Sequence, residues 1–300
     1  MGVAKEPAAE ARVRSGEQVA LAAFLGYSLL GGGNAVSIRF SNRELAPLWG
    51  AGLRFALGAV LLLAVMALLR LEFPRGRQLA GTLLYGALTF GGAFACAYYA
   101  LVRIHAGFGQ IILALVPLAT LLLAVVWRQE RFRAMALAGC LLSLGGIAVM
   151  SQAPLRESVP GAALLAALGS VVCFAQGALV VRRFPPVHPV TMNALGMAVG
   201  MALLLAGSAL VGEHWTLPTL AETWLAVAYL VLIGSGVVFV LYTVVLRHWA
   251  ASRAAYGFVL TPFVAVVLSA LLDDEPVTVG LAIGGLLVLA GVYVGALRRA

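Results

Sequence analysis

Tyr85, Thr89, Gly92, Cys96 and Tyr99 succeed one another at spacings of 4, 3, 4 and 3 within an apolar run. On a helix of 3.6 residues per turn those positions form one stripe. A second run keeps part of the pattern as Tyr229, Gly236 and Thr243, and Tyr98 and Tyr242 each lie one residue round from their stripe. Tyrosine presents an apolar ring with a hydroxyl at its tip, which suits an amphipathic or aromatic ligand. The same hydroxyls also serve to join one helix to another. Four amides, Asn34, Gln110, Gln176 and Asn193, lie in apolar stretches. An unpartnered amide in an apolar medium is costly, so each must face protein, water or ligand. Asn34 follows Gly31, Gly32 and Gly33. Each glycine weakens a helix by about 1 kcal/mol relative to alanine, so an opened helix there would offer backbone groups to a ligand. Arg54 is the one charge inside an apolar run. It either snorkels or pairs with Glu44, or it holds a ligand carboxylate.

Other chemistries find no residues to carry them. None of the twelve acidic residues lies in the middle of an apolar run, and His105, His188, His214 and His248 all fall in or beside connections. A proton relay needs such groups inside the apolar runs. Gly234-Ser235-Gly236 lacks the flanking residues and the buried histidine of an intramembrane serine protease. No GK[ST] follows the glycine run, which excludes a P-loop. Cys96, Cys140 and Cys173 show neither CxxC nor Cys/His spacing, so no metal site and no disulfide framework is expected. The reading is of a non-enzyme without cofactor or metal. The absence of a Lys/Arg cluster argues against phosphorylated ligands.

These residues must be positioned by helices in a bilayer. The chain has 300 residues, 62% of them apolar and only 11% charged, with a mean hydropathy of +1.01. Soluble domains carry about 25% charge. Ten stretches of the ~20 residues that a bilayer core requires run over 18–38, 47–69, 79–101, 107–127, 134–151, 160–181, 190–212, 223–246, 254–272 and 277–297. Residues 1–17 lack an apolar core and read as a disordered tail. With both termini inside, fifteen of the twenty basic residues fall in inner segments and four in outer connections. That asymmetry makes both termini cytoplasmic. The net charge of +8 is then a set of topology signals, and no nucleic-acid partner is expected. The five tryptophans, Trp49, Trp127, Trp215, Trp224 and Trp249, fall at span ends, as interfacial anchors do.

The two halves repeat one another. Pro117 matches Pro262, Glu130 matches Glu275, Gly139 matches Gly284 and Gly146 matches Gly291, all at an offset of 145. Upstream, Tyr85, Gly92 and Tyr98 match Tyr229, Gly236 and Tyr242 at 144, and Pro47 and Gly58 match Pro189 and Gly200 at 142. Five spans per half is an odd number, so the second copy sits inverted in the membrane. Inverted repeats mark secondary transporters, with the substrate site near the midplane between the halves. The expected domains are a tail over 1–17, a first repeat over 18–152 and a second over 153–300. Pro117 and Pro262, placed inside the fourth and ninth spans, are expected to kink them. Gly107 and Gly109 make the start of the fourth span deformable. Glu130 and Glu275 are read as caps or arginine partners at helix ends. The glycines of the fifth and tenth spans are read as close-packing positions, within the chain or at a dimer face.

This twice-occurring pattern of proline, glutamate and two glycines resembles the drug/metabolite transporter superfamily, EamA type, over residues 18–297. Within it the chain looks most like YddG-type exporters of aromatic and other amino acids. The resemblance implies an all-α integral membrane protein whose two inverted five-helix repeats surround a central cavity. That cavity would be formed largely by the first, third, fourth, sixth, eighth and ninth helices. The expectation is a bacterial inner-membrane exporter of small amphipathic metabolites, amino acids first, working by alternating access. The missing proton relay makes it a facilitator. Tyr85, Thr89, Tyr98, Tyr99, Gln176, Tyr229 and Tyr242 would line the site, with Asn34 near it. The expected partners are a small-molecule substrate and membrane lipid.

Overall fold

A computed structural model describes residues 6–103, 111–151, 160–272 and 279–297. Gly107, Gly109 and Glu275 lie outside the described residues. Every regular element among the described residues is helical. The first span is Glu6–Ser41, the second Pro47–Leu68, and the third runs as Arg77–Gly86, Ala87–Gly92 and Ala93–Leu101. Val116–Val126, Ala134–Ser151, Gly161–Arg183 and Pro189–Leu210 follow as the fourth to seventh spans. The eighth is Ala221–Tyr229, Leu230–Val237 and Val238–His248; a short turn Ala251–Ala254 leads to the ninth, Gly257–Leu272, and the tenth is Val279–Val292 with Tyr293–Leu297. The first, second, third, sixth, seventh and eighth are long and apolar enough to cross a bilayer unaided, and the fourth, fifth and tenth are shorter apolar helices. The first helix begins at Glu6, within the segment expected to be a tail.

Packing between spans reproduces the inverted repeat. The second span packs on the seventh and the fifth on the tenth. The first span packs on the eighth and ninth, and correspondingly the sixth packs on the third and fourth. Each contact is matched by its counterpart when span n is exchanged with span n+5, as a pseudo-twofold axis requires.

The repeated glycines explain the closeness of the fifth and tenth spans. A Cβ at Gly139 would stand 2.7 Å from the Gly291 carbonyl oxygen, and one at Gly146 would stand 2.6 Å from that of Gly284. The first glycine of each copy thus packs on the second glycine of the other, so these residues serve contacts within the chain.

The third and eighth spans each widen into a π-helical turn, at Ala87–Gly92 and Leu230–Val237. With the 144-residue offset the first segment corresponds to residues inside the second. A π segment inserts one residue into an α-helix and turns everything beyond it by about 100° relative to the α register.

Two expectations about helix shape are corrected. The first helix does not open at Gly31–Gly33; it runs unbroken to Ser41. The glycines there admit neighbours. Gly31 faces Thr261. Gly33 leaves space for the Tyr229 ring, whose hydroxyl donates to the Leu30 carbonyl at 2.6 Å. Pro117 does not sit inside a helix: the chain turns at Ala114–Leu115, and Pro117 occupies the first turn of Val116–Val126, where its missing N–H breaks no helical bond. Its twin Pro262 does lie inside a helix. Trp249 is also corrected: it is only 2% exposed and packs against Phe24 at 5.3 Å, so it is a core residue and not an interfacial anchor.

Candidate functional site

The core of the bundle is a continuous column of aromatic rings. Trp249, Phe24, Tyr27, Tyr242, Phe258, Phe174 and Phe94 follow one another with centroid separations of 5.1–5.7 Å. At Phe94 the column meets a cluster of Phe55, Phe90 and Phe239. These rings come from the first, second, third, sixth, eighth and ninth spans, and so from both repeats. The same spans carry polar atoms without a hydrogen-bond partner in the protein: Ser28 Oγ, Asn34 Oδ1, Arg54 Nη2, Thr89 Oγ1, Gln176 Oε1 and Tyr242 Oη. Buried polar atoms are ordinarily paired. Arg54 Nη2, Asn34 Oδ1 and Tyr242 Oη stand at the rings themselves, and an aromatic wall with a few such polar groups is the composition of a site for a small amphipathic molecule.

The residues expected to line the site divide. Tyr85 is fully buried, and its hydroxyl donates to Asn193 Oδ1 at 3.2 Å. Asn193 Nδ2 in turn donates to Thr243 Oγ1 at 2.8 Å and to the Phe239 carbonyl at 3.2 Å. This network ties the third, seventh and eighth spans together. Thr89, Gly92 and Cys96 form the seam with the sixth span, meeting Gly177, Cys173 and Gly169. Tyr229 is held by the Leu30 carbonyl. Asn34, Gln176 and Tyr242 carry the orphaned atoms named above.

Tyr98 and Tyr99 exchange roles. The stripe assumes α-helical spacing throughout, and the π turn between its start and its end displaces it. Beyond Gly92 the inward face runs through Ala93, Phe94 and Tyr98, all tied to the core. Tyr99 is 43% exposed, and the Arg103 guanidinium lies 3.9 Å over its ring. The structure therefore turns Tyr99 away from the column. Sequence reasoning missed Phe94, Phe174, Phe239 and Phe258, because phenylalanine on a membrane helix gives no sign of which face it occupies.

Both ends of the bundle carry carboxylates that cross between the repeats. At the end away from the termini, Glu213 accepts from the amides of Leu48 and Trp49 at 3.1 and 2.7 Å, capping the second span. Glu44 accepts from the Thr219 hydroxyl and from the amides of Thr219 and Leu220, both at 3.1 Å, capping the eighth. The Thr219 and Thr223 hydroxyls hold its carboxyl down at about 2. Glu44 is thereby engaged away from Arg54.

At the termini-bearing end, side chains converge on the link between the eighth and ninth spans. Glu130 accepts from the Ser252 amide at 3.2 Å and from its hydroxyl, capping a turn of the opposite repeat. Tyr27 donates to the Ala254 carbonyl, and Arg182 donates to that of Trp249. Arg253 pairs with Glu17 at 2.7 Å. Ala251, Ser252 and Ala254 are buried beneath these contacts.

Two inverted helical repeats enclosing an aromatic, polar-spotted interior define a multi-pass membrane transporter. Residues 18–152 and 161–296 each match the EamA-like transporter family, and the chain belongs to it. It is 28% identical to the uncharacterized transporter YvbV of Bacillus subtilis over 82% of this chain and 81% of that one. It is 28% identical to the uncharacterized inner membrane transporter YedA of Escherichia coli K12 over 79% and 78%. A probable amino-acid metabolite efflux pump of Escherichia coli K12 is 24% identical over 87% and 89%. A crystal structure of another protein, 22% identical, shares the fold with a TM-score of 0.79 over 93% of this chain and 96% of its own.

Proposed function

We propose that this transporter exports small amphipathic metabolites, amino acids first, by alternating access and without proton coupling. The observation that carries this reading is the aromatic column with orphaned polar atoms at the junction of the two repeats. Tyr98, Phe94, Phe174 and Phe258 form the apolar wall. Asn34, Gln176 and Tyr242 supply the hydrogen bonds. Tyr85, Thr89 and Tyr229 hold the helices that carry them. The name of the relative described as an amino-acid metabolite efflux pump supports the substrate class. The absence of mid-span carboxylates and histidines from the sequence supports a facilitator.

The chain would lie in a bacterial inner membrane with both termini cytoplasmic, as its arginine distribution suggests. A fluorescent reporter at the C-terminus, active only in the cytoplasm, tests that orientation.

Efflux of a labelled amino-acid panel from sealed proteoliposomes, with and without a pH gradient, tests the function. Neutral amino acids should leave at the same rate under both conditions, and Gln176→Ala should raise KM roughly tenfold for loss of one buried hydrogen bond. An internal pH change driven by substrate would overturn the facilitator reading. No efflux of any amino acid would overturn the substrate class.

A further inference from the structure

Arg54 lies in the second span, about 10 Å of helix rise beyond its start at Pro47. It is 2% exposed. No acidic residue lies mid-span in the sequence, and the ion pairs of the described residues, Arg43–Glu222 and Arg253–Glu17, are at the bundle ends. Among the described residues Arg54 is therefore a buried cation without a counter-ion. An uncompensated charge in the membrane interior is costly, and residues retained there mark ligand or ion paths.

Its bonding differs from that of the arginines at the termini-bearing end. Arg182 donates to the carbonyls of Leu246 and Trp249, and Arg253 donates to the Ala296 carbonyl and to Glu17. Those guanidinium groups are engaged by oxygen acceptors as structural arginines are. Arg54 donates through Nε to Ser235 Oγ at 2.9 Å, and its Nη2 has no partner. The guanidinium is stowed between two rings, 5.2 Å from the Phe55 centroid and 5.7 Å from that of Phe94. Gly234 makes room for it: a Cβ there would stand 2.9 Å from Nη2 and would collide with Asn34 Oδ1. Asn34 Oδ1 is likewise unpartnered. Asn34, Arg54 and Phe94 belong to the first repeat, and Gly234 and Ser235 belong to the second.

We propose that Arg54 is the carboxylate anchor of the transported molecule. This assignment rests on the export reading above and names its substrate class: organic monocarboxylates with an apolar or aromatic body, amino acids included. The planar guanidinium fork matches a carboxylate. One cation balances one carboxylate, and a phosphate ester would require more. The adjoining Phe94 and Tyr98 receive the apolar body. Ser235 lies on the π-helical segment of the eighth span, so a carboxylate held here touches both repeats.

The test uses the full-length chain purified in detergent and two probes of equal size, phenylacetate and phenylacetamide. Phenylacetate should bind and raise the melting temperature, and phenylacetamide should bind roughly ten- to a hundredfold more weakly, the range for a charged hydrogen bond. Arg54→Gln and Arg54→Met should abolish that preference. Arg54→Met should melt no lower than the wild type, because it removes an uncompensated charge. Equal binding of acid and amide, no binding of phenylacetate, or an Arg54→Gln protein that keeps the acid preference would each overturn the proposal. Should the Arg54 variants not fold, the wild-type acid–amide comparison decides the matter with Ser235→Ala, for which weaker phenylacetate binding is expected. Efflux of phenylalanine and phenylalaninamide from proteoliposomes separates the two readings. Export of both at one rate by the wild type sinks the anchor and leaves amino-acid export standing. Carboxylate binding without any amino-acid efflux does the reverse.

Discussion

Glu44 and Tyr85 hold helices together by quite different means, and each makes a prediction. Glu44 lies outside the membrane-spanning segments, and hydrogen bonds from Thr219, Thr223 and Leu220 lower its carboxyl from 4.5 to about 2. Its folded pKa is below its unfolded value. The cap therefore stabilises fully above pH 4.5 and is lost as the pH falls from there toward about 2. Glu44→Gln should show a smaller drop in melting temperature between about pH 6 and pH 3 than the wild type does. Tyr85 donates to Asn193 deep in the core. Tyr85→Phe should cost about 1 kcal/mol of stability while leaving KM for the transported substrate unchanged. Tyr98→Ala should change KM. The opposite pattern in the two variants would move the candidate site from Tyr98 to Tyr85.

Elements carry the next level of argument. The fifth and tenth spans meet backbone to backbone at Gly139, Gly146, Gly284 and Gly291. A Gly146→Leu side chain has nowhere to go, and overpacking of this kind costs roughly 1–3 kcal/mol or more. A Cβ at adjacent Gly145 would meet nothing within 4 Å, so Gly145→Leu should fold normally. Size-exclusion chromatography of the two variants separates close packing from a general aversion to bulk in this span. The π turn of the third span makes a second prediction. Deleting Leu88 from Ala87–Gly92 removes the extra residue and restores α register. The residues beyond it keep the faces they have in the π form, with Tyr98 inward and Tyr99 outward, because one residue fewer in α geometry covers the same rotation. Inserted protein is expected in which a Tyr99→Cys reporter keeps its reactivity toward a membrane-impermeant thiol reagent; a fall in that reactivity would show that the π turn does not absorb one extra residue.

At the scale of the molecule, the contacts between the repeats at the termini-bearing end are ones that the proposed alternating access would have to release. Glu130 of the first repeat grips Ser252 of the second. Cross-linking Glu130→Cys to Ser252→Cys, with alanine at Cys96, Cys140 and Cys173, should stop transport, and reduction should restore it. Transport that continues in the cross-linked protein would show that this end need not open.

Composition and periodicity determined much of this protein. Apolar content and span length place ten helices in a bilayer, because unpaired backbone is intolerable in hydrocarbon. The offset prolines, glutamates and glycines expose the inverted duplication, because each marks a local backbone requirement that recurs in both copies. Such signals are local, and so they are readable along the chain. What a side chain faces is not local. The inward turn of Tyr98 and the outward turn of Tyr99 follow from a π segment that ordinary helical spacing does not reveal. Gly31–Gly33 read as a weak helix until Tyr229 and Thr261 are seen to need their space. Glu130 reads as a cap of its own hairpin, yet it caps a turn on the opposite repeat. Arg54 is visible in the sequence as a lone charge. Only the packing of Phe55, Phe94, Gly234 and Ser235 around it leaves one nitrogen of that charge unsatisfied, because partners in a folded bundle are chosen by neighbours far away in sequence.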